Sequence, residues 1–160
     1  MENSLLVTFG GAFGQLGAVL AMVLAALGSC LGAGAAGSAA VGAWKKCYAQ
    51  KKAAPFQLAV FVGAPLSQTI YGMILMLLMM TPARAITSAT AGNGLFLLVA
   101  GIFAGLSLGL SAFLQGRAAA ASCDSFAETG EGFTNNLLVL GIIETVALFT
   151  MVFVIIVLPK

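Results

Sequence analysis

The sequence predicts an all-α membrane protein with four transmembrane helices, arranged as two similar helical hairpins. Hydrophobic residues make up 61% of the 160 positions and charged residues only 8%, whereas a soluble domain carries about 25% charged residues. The apolar residues form four runs, each long enough for a spanning helix of about 20 residues. The second pair of runs also resembles the first. Little chain remains for a soluble domain.

The four predicted helices lie near residues 11–43, 56–80, 93–122 and 134–158. Basic residues are concentrated between the first and second helices and between the third and fourth. By the positive-inside rule, these two loops are cytoplasmic, and both termini lie outside a cell membrane that the chain crosses several times. The lysines are therefore a topology signal, and we expect no binding of nucleic acid. The two cytoplasmic loops hold Lys45, Lys46, Lys51, Lys52 and Arg117, and the middle loop holds Arg84.

The first and third helices carry small residues at every fourth position. Such rows let helix backbones approach closely in lipid. Two nearly complete helices of this kind predict a crowded inner layer, as in a closed ring, and the bulkier second and fourth helices suit a position facing lipid. The rows include Gly28, Gly32, Ala36 and Ala40 in the first helix and Gly101, Gly105 and Gly109 in the third.

The chain divides into two similar hairpins, residues 1–80 and 81–160. The segment from Gly37 matches the segment from Gly116, and a later match aligns Gln68 with Glu144. Internal repetition of this kind is a fold-level signal in membrane proteins. One hairpin therefore carries a carboxylate where the other carries a neutral amide.

Glu144 is the only acidic side chain deep in a long apolar run. An ionisable group near the bilayer midplane costs several kcal/mol, which makes it a candidate functional residue. Gln115 in the third helix and Glu144 are equally far from a turn predicted near residues 129–130. We therefore expect both side chains at the same depth.

The second helix carries a polar face at a similar position in its hairpin. Ala64, Ser67, Gln68 and Tyr71 are spaced by three and four residues, which places them on one side of a helix. Pro65 lacks a backbone N–H and is expected to leave a carbonyl free one turn earlier. Irregular backbone at membrane depth is tolerated where other groups, including an ion, satisfy it.

These side chains offer the oxygen ligands that a hard cation prefers. The carboxylate of Glu144, the amide carbonyls of Gln68 and Gln115, the Ser67 hydroxyl and a main-chain carbonyl near Pro65 would surround Na⁺. One negative charge matches one monovalent ion, and the amide N–H groups and the Tyr71 hydroxyl help keep the carboxylate ionised. The alternative is a proton site, which needs only the carboxyl group and leaves the other polar groups surplus. Each glutamine taken alone could also be an interhelical hydrogen bond.

Three segments carry a resemblance to a known family: 65–72 (PLSQTIYG), 115–121 (QGRAAAA) and 143–145 (IET). The chain resembles the proteolipid c-type subunit, or K subunit, of bacterial V-type rotary ATPases, in particular their Na⁺-translocating branch. The resemblance implies an ion held by Glu144, Gln68, Gln115, the Ser67 hydroxyl, where Thr is commoner, and the Ala64 main-chain carbonyl. It also implies a hydrogen bond from Tyr71 to Glu144.

The resemblance further implies a rotor ring of identical copies in the lipid bilayer. The ring would turn against a stator membrane subunit that carries an Arg, with a central-stalk subunit docked at the cytoplasmic loops. ATP hydrolysis would take place in other subunits, and this chain, which has no GxxxxGK[ST] motif, is expected to be no enzyme itself. Two rival hypotheses are a small oligomeric cation or multidrug exporter and a structural scaffold or pore-forming proteolipid. Small exporters usually carry the carboxylate in the first helix, and a scaffold would not need Glu144.

Overall fold

A computed structural model describes residues 2–159 and contains four long helical segments. The first is α1 (Glu2–Ala49). The second comprises α2 (Leu58–Gly63), a 3₁₀ turn (Ala64–Leu66) and α3 (Ser67–Arg84). After a short 3₁₀ turn (Ser88–Thr90) come α4 (Gly92–Thr129) and α5 (Phe133–Val157). All four segments are long and apolar enough to cross a membrane, which confirms the predicted fold class.

The helices are longer than the apolar runs that predicted them. The first span was expected at 11–43, but α1 has 48 residues, and at 1.5 Å per residue it is about 70 Å long, more than twice the hydrocarbon thickness of about 30 Å. Hydropathy marks the part of a helix that lipid surrounds, whereas backbone hydrogen bonding continues beyond it. The same reason explains why α4 runs to Thr129, past the expected end at 122.

Helices α1 and α4 pack together along their length. A Cβ atom added to Gly17 or Gly28 would overlap the backbone of α4, and one added to Gly101 or Gly116 would overlap the backbone of α1. The small residues thus allow the close approach that the sequence predicts. On α5, by contrast, only Leu140 and Ala147 are buried among its described residues, and many of its bulky side chains, such as Ile142 and Phe149, are exposed.

Two glycines with left-handed backbone conformation connect α4 to α5. Gly130 (φ +70°) ends α4, and its N–H donates to the Phe126 carbonyl at 2.8 Å. Gly132 (φ +77°) precedes α5. Residues other than glycine rarely adopt these backbone angles, so the tight turn depends on glycine at these two positions. It brings Gln115 and Glu144 to matching depth on adjacent helices.

Candidate functional site

Glu144 lies near the middle of α5, half-buried between α5, α3 and α4. The Tyr71 hydroxyl donates to its Oε1 at 2.5 Å, and Gln115 Nε2 donates to its Oε2 at 3.3 Å. Both carboxylate oxygens therefore face a hydrogen-bond donor from another helix. These donors compensate part of the hydration that an ionised carboxylate loses on leaving water.

Gln68 and Gln115 form a fully buried pair beside the carboxylate. Gln68 Nε2 donates to Gln115 Oε1 at 2.9 Å, and both side chains are 0% exposed. Gln115 Nε2 also donates to the main-chain carbonyl of Leu140 at 2.9 Å. The pair thus connects α3, α4 and α5 at one depth, with Gln115 Oε1 as the acceptor between the two amides.

Ser67 and Ala64 complete the polar cluster. The Ser67 hydroxyl donates a hydrogen bond to the Ala64 carbonyl oxygen at 3.1 Å and also lies 3.2 Å from Gln68 Oε1. The main-chain N–H of Ser67 also donates to the Ala64 carbonyl. The four residues of this face therefore lie close together, and they offer a hydroxyl, an amide, a phenol and a main-chain oxygen.

The expectation of a free carbonyl one turn before Pro65 is wrong. Pro65 lies inside the 3₁₀ turn, and the Phe61 carbonyl accepts a bond from the N–H of Ala64. The helix responds to the missing N–H by tightening to i→i+3 bonding, which satisfies the carbonyl again. The 3₁₀ turn also places the Ala64 carbonyl beside the Ser67 hydroxyl.

The oxygen atoms of this cluster fit a hard monovalent cation. Its acceptors are oxygens from one carboxylate, two amides, one hydroxyl and one main-chain carbonyl, which are the ligands such ions prefer. Among residues 2–159, no group of three or more His, Cys, Asp or Glu side chains could hold a metal ion. The ligands that transition metals favour are therefore not assembled in this part of the chain.

Sequence reasoning missed the hydroxyl groups that bind α4 to α5. The Ser111 hydroxyl donates to the Ile143 carbonyl at 3.1 Å, and the Ser107 and Thr150 hydroxyls lie 3.0 Å apart. Ser107, Ser111 and Gln115 are spaced by four along α4. That spacing was the available signal, because residues four apart lie on one face of a helix.

The second hairpin matches a known protein family. Residues 98–157 match the family model for the C subunit of ATP synthase. A search of curated proteins found no match to the chain. The matched segment contains most of α4 and all of α5, and it includes both Gln115 and Glu144. The second hairpin of this chain is thus similar to the C subunit of ATP synthases.

Proposed function

We propose that this chain is a rotor-ring subunit that carries one Na⁺ per protomer at Glu144, in a V-type rotary ATPase of the bacterial Na⁺-translocating branch. The observation that carries the proposal is the single membrane carboxylate, hydrogen-bonded by Tyr71 and Gln115 and adjoined by buried amide oxygens. The likeness of residues 98–157 to the C subunit of ATP synthases supports the ion-translocating rotor ring. The V-type assignment and the choice of Na⁺ rest on the sequence resemblance and on the ligand chemistry.

Charge balance favours a monovalent ion. Glu144 is the one acidic residue between Phe133 and Val157, and no basic residue lies in that helix. One bound Na⁺ makes the site neutral, so the loaded protomer can face lipid at low cost, whereas an unbalanced charge there costs several kcal/mol. A divalent ion would leave a net positive charge in the membrane.

The ligand set favours Na⁺ over a proton. In the proposed loaded state, the carbonyl oxygens of Gln68 and Gln115, the Ser67 hydroxyl and the Ala64 carbonyl coordinate the ion together with Glu144. A proton would need only the carboxyl group. Two amide oxygens, a hydroxyl and a main-chain carbonyl gathered near one carboxylate match the oxygen ligands that a hard cation prefers.

Release would take place where Glu144 meets the stator. The carboxylate lies on the outer helix and is half-buried, with exposed apolar neighbours such as Ile142 and Val146 on the same helix. A stator Arg would approach from this side and compete with Na⁺ for the carboxylate. Tyr71 would then lose its hydrogen bond and open the site to a half-channel.

The remaining partners are identical copies in the ring, the lipid bilayer and a central-stalk subunit at the cytoplasmic loops. At that end, Lys46 forms ion pairs with Asp124 at 3.1 Å and Glu128 at 3.7 Å. All three side chains are exposed, so the pairs contribute little to stability and remain accessible to a docking subunit. ATP hydrolysis or synthesis would proceed in other subunits, because this chain catalyses no bond change.

Carbodiimide labelling of the purified oligomer tests the proposal. The reagent modifies a protonated carboxyl group, so Na⁺ bound at Glu144 should slow the reaction at near-neutral pH, and K⁺ should not. Glu144→Gln is the control that should abolish labelling. Labelling of Glu144 that does not respond to Na⁺ would instead make the chain a proton-carrying ring, and no labelling at all would remove Glu144 from the ion path.

A further inference from the structure

We propose that Ser29 of α1 is a positioning residue for the cation site, which holds the Gln68 amide through one buried water molecule. The inference rests on the proposed function. Ser29 is 2% exposed, and its Oγ has no hydrogen-bond partner among residues 2–159. A buried polar group without a partner destabilises the folded state, and in polar interiors an ordered water commonly satisfies such groups.

Two contacts fix the register of α1 against the second span. At the first contact, a Cβ atom added to Gly72 would lie 2.8 Å from the Cβ of Ala25. At the second contact, a Cβ atom added to Gly32 would lie 3.1 Å from the Cβ of Pro65. From the first contact to the second, the residue number rises on α1 and falls on the second span. The two segments therefore run antiparallel.

Ser29 and Gln68 lie between these two contacts at the same level. Ser29 is four residues from Ala25 and three from Gly32, and Gln68 is four residues from Gly72 and three from Pro65. Positions spaced by three and four share a helix face, so we place Ser29 on the face of α1 that packs against the second span, next to the base of the Gln68 side chain. Ser29 therefore lies behind Gln68, at the α1 side of the glutamine pair.

The hydrogen-bonding capacities of the two side chains are complementary. One N–H of Gln68 donates to Gln115 Oε1, and within the described residues its second N–H has no acceptor. The Ser29 hydroxyl offers lone pairs and a proton, and a water between them can accept from Gln68 and bond to Ser29. This bridge would keep the amide nitrogen on the α1 side and Gln68 Oε1 on the side of Ser67, where the cation needs an oxygen.

The test compares Ser29→Ala with wild type and with Ser38→Ala, which changes an exposed serine of the same helix. Alanine is smaller than serine and is the better helix former, so the oligomer should assemble. The half-saturating Na⁺ concentration for protection of Glu144 against carbodiimide should rise on the order of fivefold in Ser29→Ala. It should not change in Ser38→Ala.

A double variant separates positioning from a general packing effect. If Ser29 acts through Gln68, then adding Ser29→Ala to Gln68→Ala should cause no further shift. A further shift of the same size, or a wild-type Na⁺ response in Ser29→Ala alone, would overturn this inference and leave the proposed function intact. A wild-type oligomer that Na⁺ does not protect would overturn the proposed function, and this inference with it.

Discussion

Gln115 joins three parts of the site through one amide group. Its Nε2 donates to the Leu140 carbonyl and to Glu144, and its Oε1 accepts from Gln68. The side chain is completely buried, so it cannot replace these bonds with water. Gln68 makes one bond to another helix and shares its oxygen with the neighbouring Ser67. The two amides are therefore unequal, although both are predicted ligands.

Replacing Gln115 should weaken Na⁺ binding more than replacing Gln68. Gln115→Ala removes a ligand oxygen and also the N–H donors to the Leu140 carbonyl and to Glu144 Oε2, and each such loss costs about 1–3 kcal/mol. We expect the half-saturating Na⁺ concentration to rise at least about tenfold, with a smaller rise for Gln68→Ala. Carbodiimide protection measures both. An unchanged Na⁺ response in both variants would point to a proton site.

Tyr71→Phe should loosen the closed site without changing its oxygen ligands. The substitution keeps the ring and removes the hydroxyl that donates to Glu144 Oε1. At saturating Na⁺, labelling of Glu144 should become at least about tenfold faster, because a charge-assisted hydrogen bond contributes about 1.5–3 kcal/mol. The time course of labelling at fixed pH checks this. A rate equal to that of wild type would mean that the hydroxyl does not control access.

Spacing along the sequence pointed to the two side chains that hydrogen-bond to Glu144, Tyr71 and Gln115. Gln115 was predicted from its distance to the turn, and the second-span residues from their three- and four-residue spacing. Ser29 and Ser111 were not predicted, because hydroxyl groups in membrane helices often bond to carbonyls of their own helix, as Ser122 does to Ala118. Their roles depend on how the helices are rotated against each other, which spacing within one helix does not determine.

At the scale of elements, the second span differs from the other three because it is interrupted. The sequence predicted the interruption at Pro65, but not its form. The 3₁₀ turn from Ala64 to Leu66 satisfies the Phe61 carbonyl and directs the Ala64 carbonyl to a neighbouring hydroxyl. Main-chain bonding that is rearranged in this way costs little, and it supplies an oxygen at membrane depth.

Pro65→Ala should therefore impair the proposed Na⁺ site while the protein stays folded. Alanine restores the N–H at position 65, which favours continuous α-helical bonding and moves the Ala64 carbonyl away from the Ser67 hydroxyl. We expect the half-saturating Na⁺ concentration to rise on the order of tenfold, equivalent to about 1.4 kcal/mol. Pro82→Ala, near the end of α3, is the matched control and should bind Na⁺ as wild type does. Equal Na⁺ responses in the two variants would contradict a role for the turn.

At the scale of the whole molecule, the two hairpins are held together by the glycine contacts between α1 and α4. The small-residue rows predicted close packing, but not its register. The internal repeat makes Gly37 and Gly116 equivalent positions and predicts no contact between them, and the structure packs Gly116 against Gly32. The connection from α1 to α2 is residues 50–57 and that from α4 to α5 is residues 130–132. The difference in residue number between equivalent positions of the two hairpins therefore changes along the chain. Similarity between short segments does not predict which residues of α1 and α4 are in contact.

Gly28→Ala should destabilise the protein through this contact. A methyl group at Gly28 would overlap the backbone of Gly109, and α1 would have to move away from α4. Overpacking of this kind costs about 1–3 kcal/mol, which should lower the Tm of the detergent-purified protein by about 5 °C. Gly42→Ala is the control on the same helix, because a Cβ atom there meets nothing within 4 Å. Since alanine is the better helix former, this control should keep or slightly raise the Tm. Equal Tm values for the two variants would show that α1 and α4 do not contact each other at Gly28.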